Sequence, residues 1–262
     1  MNIDLHSHVK ISKKTRFNPL YFTEMMNEAK LSGLDAIAMT EHFNTLVYED
    51  IYETLDREYP YQHHYYEVDG LRVFPGIEID IRETGHILMI GDREDILDLS
   101  RRLAGHTKPE HFIPVRTLMD WADEYNVLRI GAHPFRKSTP LHHLDDEILT
   151  RLDAFDMNGK DLYAQGIEPY RKKISTFAAR LDRPVVGGSD THQFLQYGSV
   201  MNTFANMCST VDELKSTIAL GEYDVHVSTC LETKVKSAML MKKLIKQSMK
   251  DIDFSDDQDE IA

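Results

Sequence analysis

The chain opens on a short apolar alternation, with Ile3 and Leu5 one residue apart, which predicts a strand over 2–5. Apolar runs with strand character recur at 36–39, 72–81, 86–90, 127–131, 154–157, 184–187 and 225–229. Between them lie stretches of helical character at 19–31, 94–103, 115–125, 146–152, 168–181, 210–219 and 231–250. Several carry apolar residues three and four apart; Ile174, Phe177, Ala178 and Leu181 mark one such face. Ser209-Thr210-Val211-Asp212-Glu213 has the form of a helix start, with acids in the first turn. Alternation of strand and helix predicts an α/β fold around a mainly parallel sheet. In barrels of that type the site lies at the C-terminal ends of the strands. Residues 48–66 break the rhythm with six tyrosines, the adjacent His63 and His64 and many acids. This segment reads either as an insertion or lid beside the site, or as a packed surface helix followed by a loop.

Length and composition narrow the picture. With 262 residues and no Pro/Gly/Ser-rich linker, the chain is expected to form one domain over 1–250, followed by a disordered acidic tail at 251–262. The formal net charge is -13, and it stays negative without the six acids between 251 and 260. That opposes an extended nucleic-acid surface, which needs clustered Lys and Arg, but not a small anion held by metals. The polar start argues against a signal peptide, and no apolar run approaches the length of a membrane span. Cys208 and Cys230 lack CxxC spacing and are expected to be reduced thiols in a cytoplasmic protein. Nothing in the sequence sets the oligomeric state.

The candidate chemistry gathers at strand ends. Asp4-Leu5-His6-Ser7-His8 places His6 and His8 on one edge of the first strand, where two imidazoles can share a metal ion. Further clusters follow at Thr40-Glu41-His42, Gly76-Ile77-Glu78, His86, Gly131-Ala132-His133-Pro134 and Gly187-Gly188-Ser189-Asp190-Thr191-His192. Taken singly, Asp190 suits a turn or helix cap and His133 before proline suits a structural role. Taken together, six of the thirteen histidines fall at strand termini with Glu78 and Asp190, which caps do not explain. Imidazole with carboxylate suits Zn, Mn or Fe, and a shared carboxylate suits a multinuclear site.

In order and spacing these motifs resemble the PHP (polymerase and histidinol phosphatase) family of phosphoesterases, over roughly residues 1–204. Ala132-His133-Pro134-Phe135 and Asn158-Gly159 also fit the family pattern. The resemblance implies a distorted seven-stranded (β/α) TIM-like barrel with two or three divalent ions at its C-terminal mouth. Carried over, His6, His8, Glu78 and Asp190 would hold one ion. Glu78 would bridge to a second, held also by His86 and His133, and His42 and His192 would belong to a third position. Two features depart from the pattern. Lys13 and Lys14 stand where many relatives place an Asp or His, and Thr40-Glu41-His42 replaces the commoner Thr-Asp-His. The third ion is then weak, held through Glu41 or water, or absent. Glu41 either orients a ligand imidazole or reaches a metal itself.

Such a site predicts in-line attack of a metal-bridging hydroxide on phosphorus, with Glu78, Asp190, His192 and Arg136 as the catalytic set. Arg136 is the first choice for a phosphate contact, and Lys13, Lys14 and Arg16 form a second basic group. His63 or His64 is one candidate proton donor to the leaving group, metal-bound water the other. The expected activity is hydrolysis of a small phosphorylated metabolite. Phosphodiester cleavage of nucleotides or short single strands, a zinc amidohydrolase and a metal-binding regulatory module without catalysis stand as alternatives. A zinc amidohydrolase often bridges its metals with a modified lysine at a strand end, and here Glu78 stands with no fitting lysine.

Overall fold

The computed structural model describes the backbone of residues 1–259 and the side chains of 1–245, 247 and 248. The acidic tail expected to be disordered over 251–262 falls on the backbone of a helix as far as Asp259, and 260–262 lie outside the described residues. The first half of the chain runs β1 (Asn2–Ser7), α1 (Pro19–Leu31), β2 (Ala36–His42), α2 (Asp50–Glu58), β3 (Tyr61–Gln62), β4 (Tyr65–Val68), β5 (Leu71–Asp80), β6 (His86–Ile90), α3 (Arg93–Arg102) and α4 (Val115–Ala122). The second half runs β7 (Leu128–Ala132), α5 (Asp146–Leu149), β8 (Ala154–Asn158), α6 (Gly159–Gln165), α7 (Ile167–Arg180), β9 (Val185–Gly188), β10 (Val200–Phe204), α8 (Val211–Leu220), β11 (Tyr223–Val227) and α9 (Leu231–Asp259).

Seven strands, in the order β1-β2-β5-β6-β7-β8-β9, curl into a nearly closed, distorted TIM-like barrel. The sheet is mixed rather than mainly parallel. β6 runs antiparallel to both β5 and β7, and β10 and β11 add an antiparallel ribbon beside β1. The connection from β5 to β6 is only residues 81–85, too short for the helical crossover that a parallel neighbour needs.

The seam between β9 and β1 closes in two places. At the upper end, the Asp190 amide donates to the His6 carbonyl at 2.8 Å and the His8 amide to the Thr191 carbonyl at 2.9 Å. Lower down, Asn202 of β10 stitches the two strands. Its Nδ2 donates to the Ile3 and Gly187 carbonyls (3.0 and 2.8 Å), and its Oδ1 accepts from the Gly187 amide at 2.7 Å. A polar residue in mid-strand hides β10 from any apolar-run criterion, yet it is the polar group the seam needs.

Alternate residues of each strand divide the core. Ile37, Met39, Val73, Ile77, Ile87, Met89 and Phe155 pack outward under helices α1 to α4 and α7. Ile3, Ala38, Phe74, Leu88, Ile130 and Val186 fill the lower interior, which Val211, Leu214 and Ile218 of α8 complete. Thr210 and Glu213 form the capping box that starts α8, as the acids after Ser209 predicted.

Residues 48–66 are not a lid. Tyr48, Tyr52, Tyr65 and Tyr66 are buried, and β4 pairs with the N-terminal half of β5, away from the strand ends that carry the histidines. His64 accepts from the Val211 amide at 3.1 Å, at the start of α8. His63 and His64 therefore sit at the far end of the barrel and are withdrawn as proton donors. The tyrosine rings supply core volume, with hydroxyls directed to partners such as the Gly76 carbonyl and Asp56.

Candidate metal centre

A register shift in β1 between Asp4 and Ser7 decides the site's first pair. Ile3 and Leu5 pack into the lower interior, and strict alternation would then turn His6 away. The bulge brings both His6 and His8 back over Glu78, at 3.6 and 3.4 Å. His42 ends β2, Glu78 lies near the end of β5, and His133 follows β7 directly. His86 begins β6, but that strand is reversed, so its first residue reaches the mouth where the other strands end. His133 and Asp190 adopt left-handed backbone angles (φ 32° and 53°), which L-residues hold only when their surroundings demand it.

All eight predicted ligands converge. Glu78 is the hub: Oε1 lies 2.7 Å from His86 Nδ1 and 3.4 Å from His133 Nε2, and Oε2 lies 2.8 Å from His42 Nδ1. Asp190 Oδ1 stands 3.7, 3.3 and 4.0 Å from Nε2 of His6, His8 and His192. The His8 ring stacks on His192 and His42, with centroids 4.1 and 4.4 Å apart. Three groups, two of them sharing His8, could each hold a cation: His6-His8-Asp190, Glu78-His86-His133 and His8-His42-His192.

Burial disfavours charge on every one of these groups, and neighbours decide which stay ionised. For Glu78 and Asp190 the neighbours outweigh burial: the imidazoles of His42 and His86 for the first, the cations Lys160 and Arg136 for the second. Both carboxyls fall well below the usual range. Burial pushes His42 down to about 4 and His133 to about 3, and holds His192 well below the usual imidazole range. Against burial, Glu78 and Asp80 raise His86 to about 9, while Asp190 with Asp156 and Glu41 raise His6 and His8. The buried acids thus favour a proton on His86 and shift His6 and His8 in the same direction. His6 Nε2, both His8 nitrogens and His192 Nδ1 are buried without a hydrogen-bond partner. Such atoms cost free energy unless something binds them. The donor set fits divalent cations, which would replace the protons and engage the orphaned nitrogens.

The residues behind the ligands were mostly missed from sequence. Asp156 Oδ2 holds His6 Nδ1 at 2.9 Å, and Asp80 Oδ1 holds His86 Nε2 at 2.8 Å. Asp156 sits inside an apolar run, and only its place on the inward face of β8, two residues before Asn158, could have marked it. Asn158 itself donates to Asp156 and caps α6 through the Lys160 amide. Glu41 stands behind His8, 3.6 Å from Nδ1, and accepts from the Val9 and Lys10 amides. That is the orienting position rather than a place in the three groups.

Above the histidines opens a cavity of about 350 Å³, with Lys13, Arg136, Ser138, Thr139 and Lys160 in its wall. Arg136 reaches Asp190 Oδ2 and Asp161 Oδ2, both at 2.8 Å. Lys13 pairs with Asp80 Oδ2 at 3.2 Å, so it brings charge to the mouth without a ligand atom. Lys14 and Arg16 are exposed and do not line the cavity. Among the described residues no helix is long and apolar enough to cross a membrane, and Cys208 and Cys230 are both free.

No protein-family model matches the sequence, and no curated protein does. Solved structures do share its fold. PsfC from Pseudomonas syringae PB-5123 superposes with a TM-score of 0.76 at 22% identity, covering 95% of this chain and 98% of that one. The lesion-specific endonuclease PfuEndoQ from Pyrococcus furiosus gives 0.62 at 18% identity, over 86% of this chain and 58% of that one. An amidohydrolase from Chromobacterium violaceum, with bound sulfate and no metal, gives 0.50 at 14% identity, over 87% of this chain and 98% of that one. At these identities the likeness is one of fold: this chain is a distorted TIM-like barrel of a kind that proteins described as hydrolases also use.

Proposed function

We propose that the protein is a metal-dependent phosphoric ester hydrolase acting on a small phosphorylated metabolite. The observation that carries this reading is the convergence of six histidines, Glu78 and Asp190 on one buried mouth, with imidazole nitrogens left unpartnered. His6, His8, Glu78 and Asp190 would hold one divalent ion, and Glu78, His86 and His133 a second. His42 and His192, with His8, would hold a third. Bound there, the ions supply Lewis acidity toward water and toward the phosphoryl group.

The chain's own residues do the rest. Asp190 directs Oδ1 to the imidazoles and Oδ2 to Arg136, which ties the ion site and the guanidinium into one register. Arg136 and Lys13 bring positive charge to the cavity and orient the dianion. His192, kept neutral by burial, offers a nitrogen rather than a positive charge at the mouth. Acidic net charge and a cavity of about 350 Å³ favour a small substrate over a long polyanion.

The test is the full chain loaded with Mn, Fe(II) or Zn, its metal content measured by emission spectroscopy, and assayed on a panel of phosphometabolites. Hydrolysis with monoesters preferred is the expected result; metal-replete protein inert on every ester overturns it. The barrel likeness to an endonuclease supports a second reading, phosphodiester cleavage of nucleotides or short strands. Comparing para-nitrophenyl phosphate with its bis ester, and adding labelled oligonucleotides, separates the two. Glu78, between the imidazoles where an amidohydrolase often places a modified lysine, speaks against amide hydrolysis.

A further inference from the structure

We infer that Lys160 is a direct anion contact at the mouth, and that its neighbour Asp161 positions Arg136 beside it. Both follow from how few carboxylate oxygens serve two cations. Asp190 Oδ2 is shared by Arg136 Nη1 at 2.8 Å and Lys160 Nζ at 3.3 Å. The other oxygen of the same carboxylate faces His6, His8 and His192. One monoanion therefore faces two side-chain cations and an ion site at once. Asp161 balances one of those charges from behind, its Oδ2 accepting from Arg136 Nη2 at 2.8 Å and Nε at 3.2 Å. Asp190 and Asp161 match the two cations in number, but Asp190 also turns its other oxygen to the imidazoles, so an ion bound there would leave the cations on this wall of the cavity under-compensated.

Geometry puts the two cations where an anion can use them. The Arg136 and Lys160 side chains are 21% and 30% exposed, while Asp161 and Asp190 are 6% and 4%. The acids are sunk into the barrel, and the cations front the cavity. Clamping Nε and Nη2 on Asp161 leaves Nη1 toward Asp190 as the one working edge of the guanidinium. Gly159, Lys160 and Asp161 open α6 in succession, so one chain segment delivers the second cation and the brace for the first. Deepening the phosphoester reading on which it rests, the inference makes the preferred substrate a dianion gripped by Arg136 and Lys160 together, which favours monoesters over diesters.

The experiment titrates inorganic phosphate into the metal-loaded full chain by calorimetry, with steady-state kinetics on para-nitrophenyl phosphate alongside. Lys160→Gln is expected to weaken phosphate about 10- to 100-fold, the worth of a lost charge-assisted contact, and to raise KM by a similar factor at unchanged metal content. Lys160→Arg should restore most of the affinity. Asp161→Asn should weaken phosphate in the native background and add nothing to Arg136→Gln, since it acts only through that guanidinium. If Lys160 serves only as a partner for Asp190, Lys160→Gln changes metal affinity and leaves phosphate affinity within twofold, which overturns the inference while hydrolysis stands. A wild type that binds phosphate but hydrolyses no ester overturns the proposed function instead, and the Lys160 result is still read from binding. Wild-type protein with no affinity for phosphate overturns both.

Discussion

Replacing Glu78 by Gln keeps the volume of the side chain and removes its charge. Five imidazoles face that carboxylate, at 2.7 Å (His86), 2.8 Å (His42), 3.4 Å (His8 and His133) and 3.6 Å (His6). The group is buried, so solvent cannot replace the lost charge. A unit charge pair about 4 Å apart gains about 4 kcal/mol at an effective dielectric constant near 20, and desolvation offsets part of that. Breaking a buried charged partnership costs about 3–5 kcal/mol. Applied to ion binding, that is roughly a 100- to 4,000-fold rise in Kd for the ion shared by Glu78, His86 and His133. Because Glu78 also faces His6 and His8, the neighbouring ion should weaken with it. The assay is metal stoichiometry by emission spectroscopy after dialysis, with calorimetric Kd values and a melting curve to confirm folding. A folded Gln variant that keeps the wild-type stoichiometry, with Kd values within threefold, would refute the assignment of Glu78 as the shared ligand.

Three further outcomes follow from particular contacts. Asp156→Asn weakens the brace on His6 Nδ1 and should cost about 10- to 100-fold in metal affinity, read by calorimetry; an unchanged value removes Asp156 from the site. Gly188→Ala would drive a Cβ into His6 Cβ and to 2.8 Å from Asp156 Oδ1, so it should cost about 1–3 kcal/mol in denaturant unfolding and displace His6. Wild-type stability in that variant would show that β9 does not press on His6. For metal-free protein, stability should peak near the ordinary imidazole value of 6.5. Below it, His42 and His133 (folded values about 4 and about 3) protonate more readily in the unfolded chain, and further down Glu41, held at about 2, lets its contribution go. Asp4, raised by burial to about 6, opposes them in part. Above 6.5 the stabilisation from His86 is lost as pH rises through about 9. A melting temperature that climbs steadily from pH 6.5 to 9 in chelator would contradict this balance, and added Mn or Zn should stabilise most on the alkaline side, where protons no longer compete.

Local sequence determined a good deal of this protein. The apolar runs at 36–39, 86–90 and 154–157 are strands because alternate side chains can face a helix layer or the barrel interior. The histidines and acids stand out because they interrupt or end those runs. A cap or turn explains any one of them but not a series at successive strand ends, so His6, His8, His42, Glu78, His86, His133, Asp190 and His192 were visible as a set rather than one by one. What no local pattern carries is direction, register and distance between remote segments. The reversal of β6, which sends His86 to the mouth, follows from a short connection between β5 and β6. The shift in β1 that aims His6 inward depends on pairing with β2, and the seam at Asn202 needs two strands from the far ends of the chain. The tyrosines of 48–66 resembled a lid because aromatic, acidic segments look alike in a core and at a rim; pairing of β4 with the lower half of β5 put them in the core. Asp156, Lys160 and Asp161 are ordinary residues of a strand and a helix start until folding sets them against His6, Asp190 and Arg136. Sequence chose which groups can bind and react, because side-chain chemistry is a local property. Tertiary structure alone decided which of them share a neighbour, because the energies that matter at this mouth fall off over a few ångströms while the residues that supply them lie up to 186 positions apart, from His6 to His192.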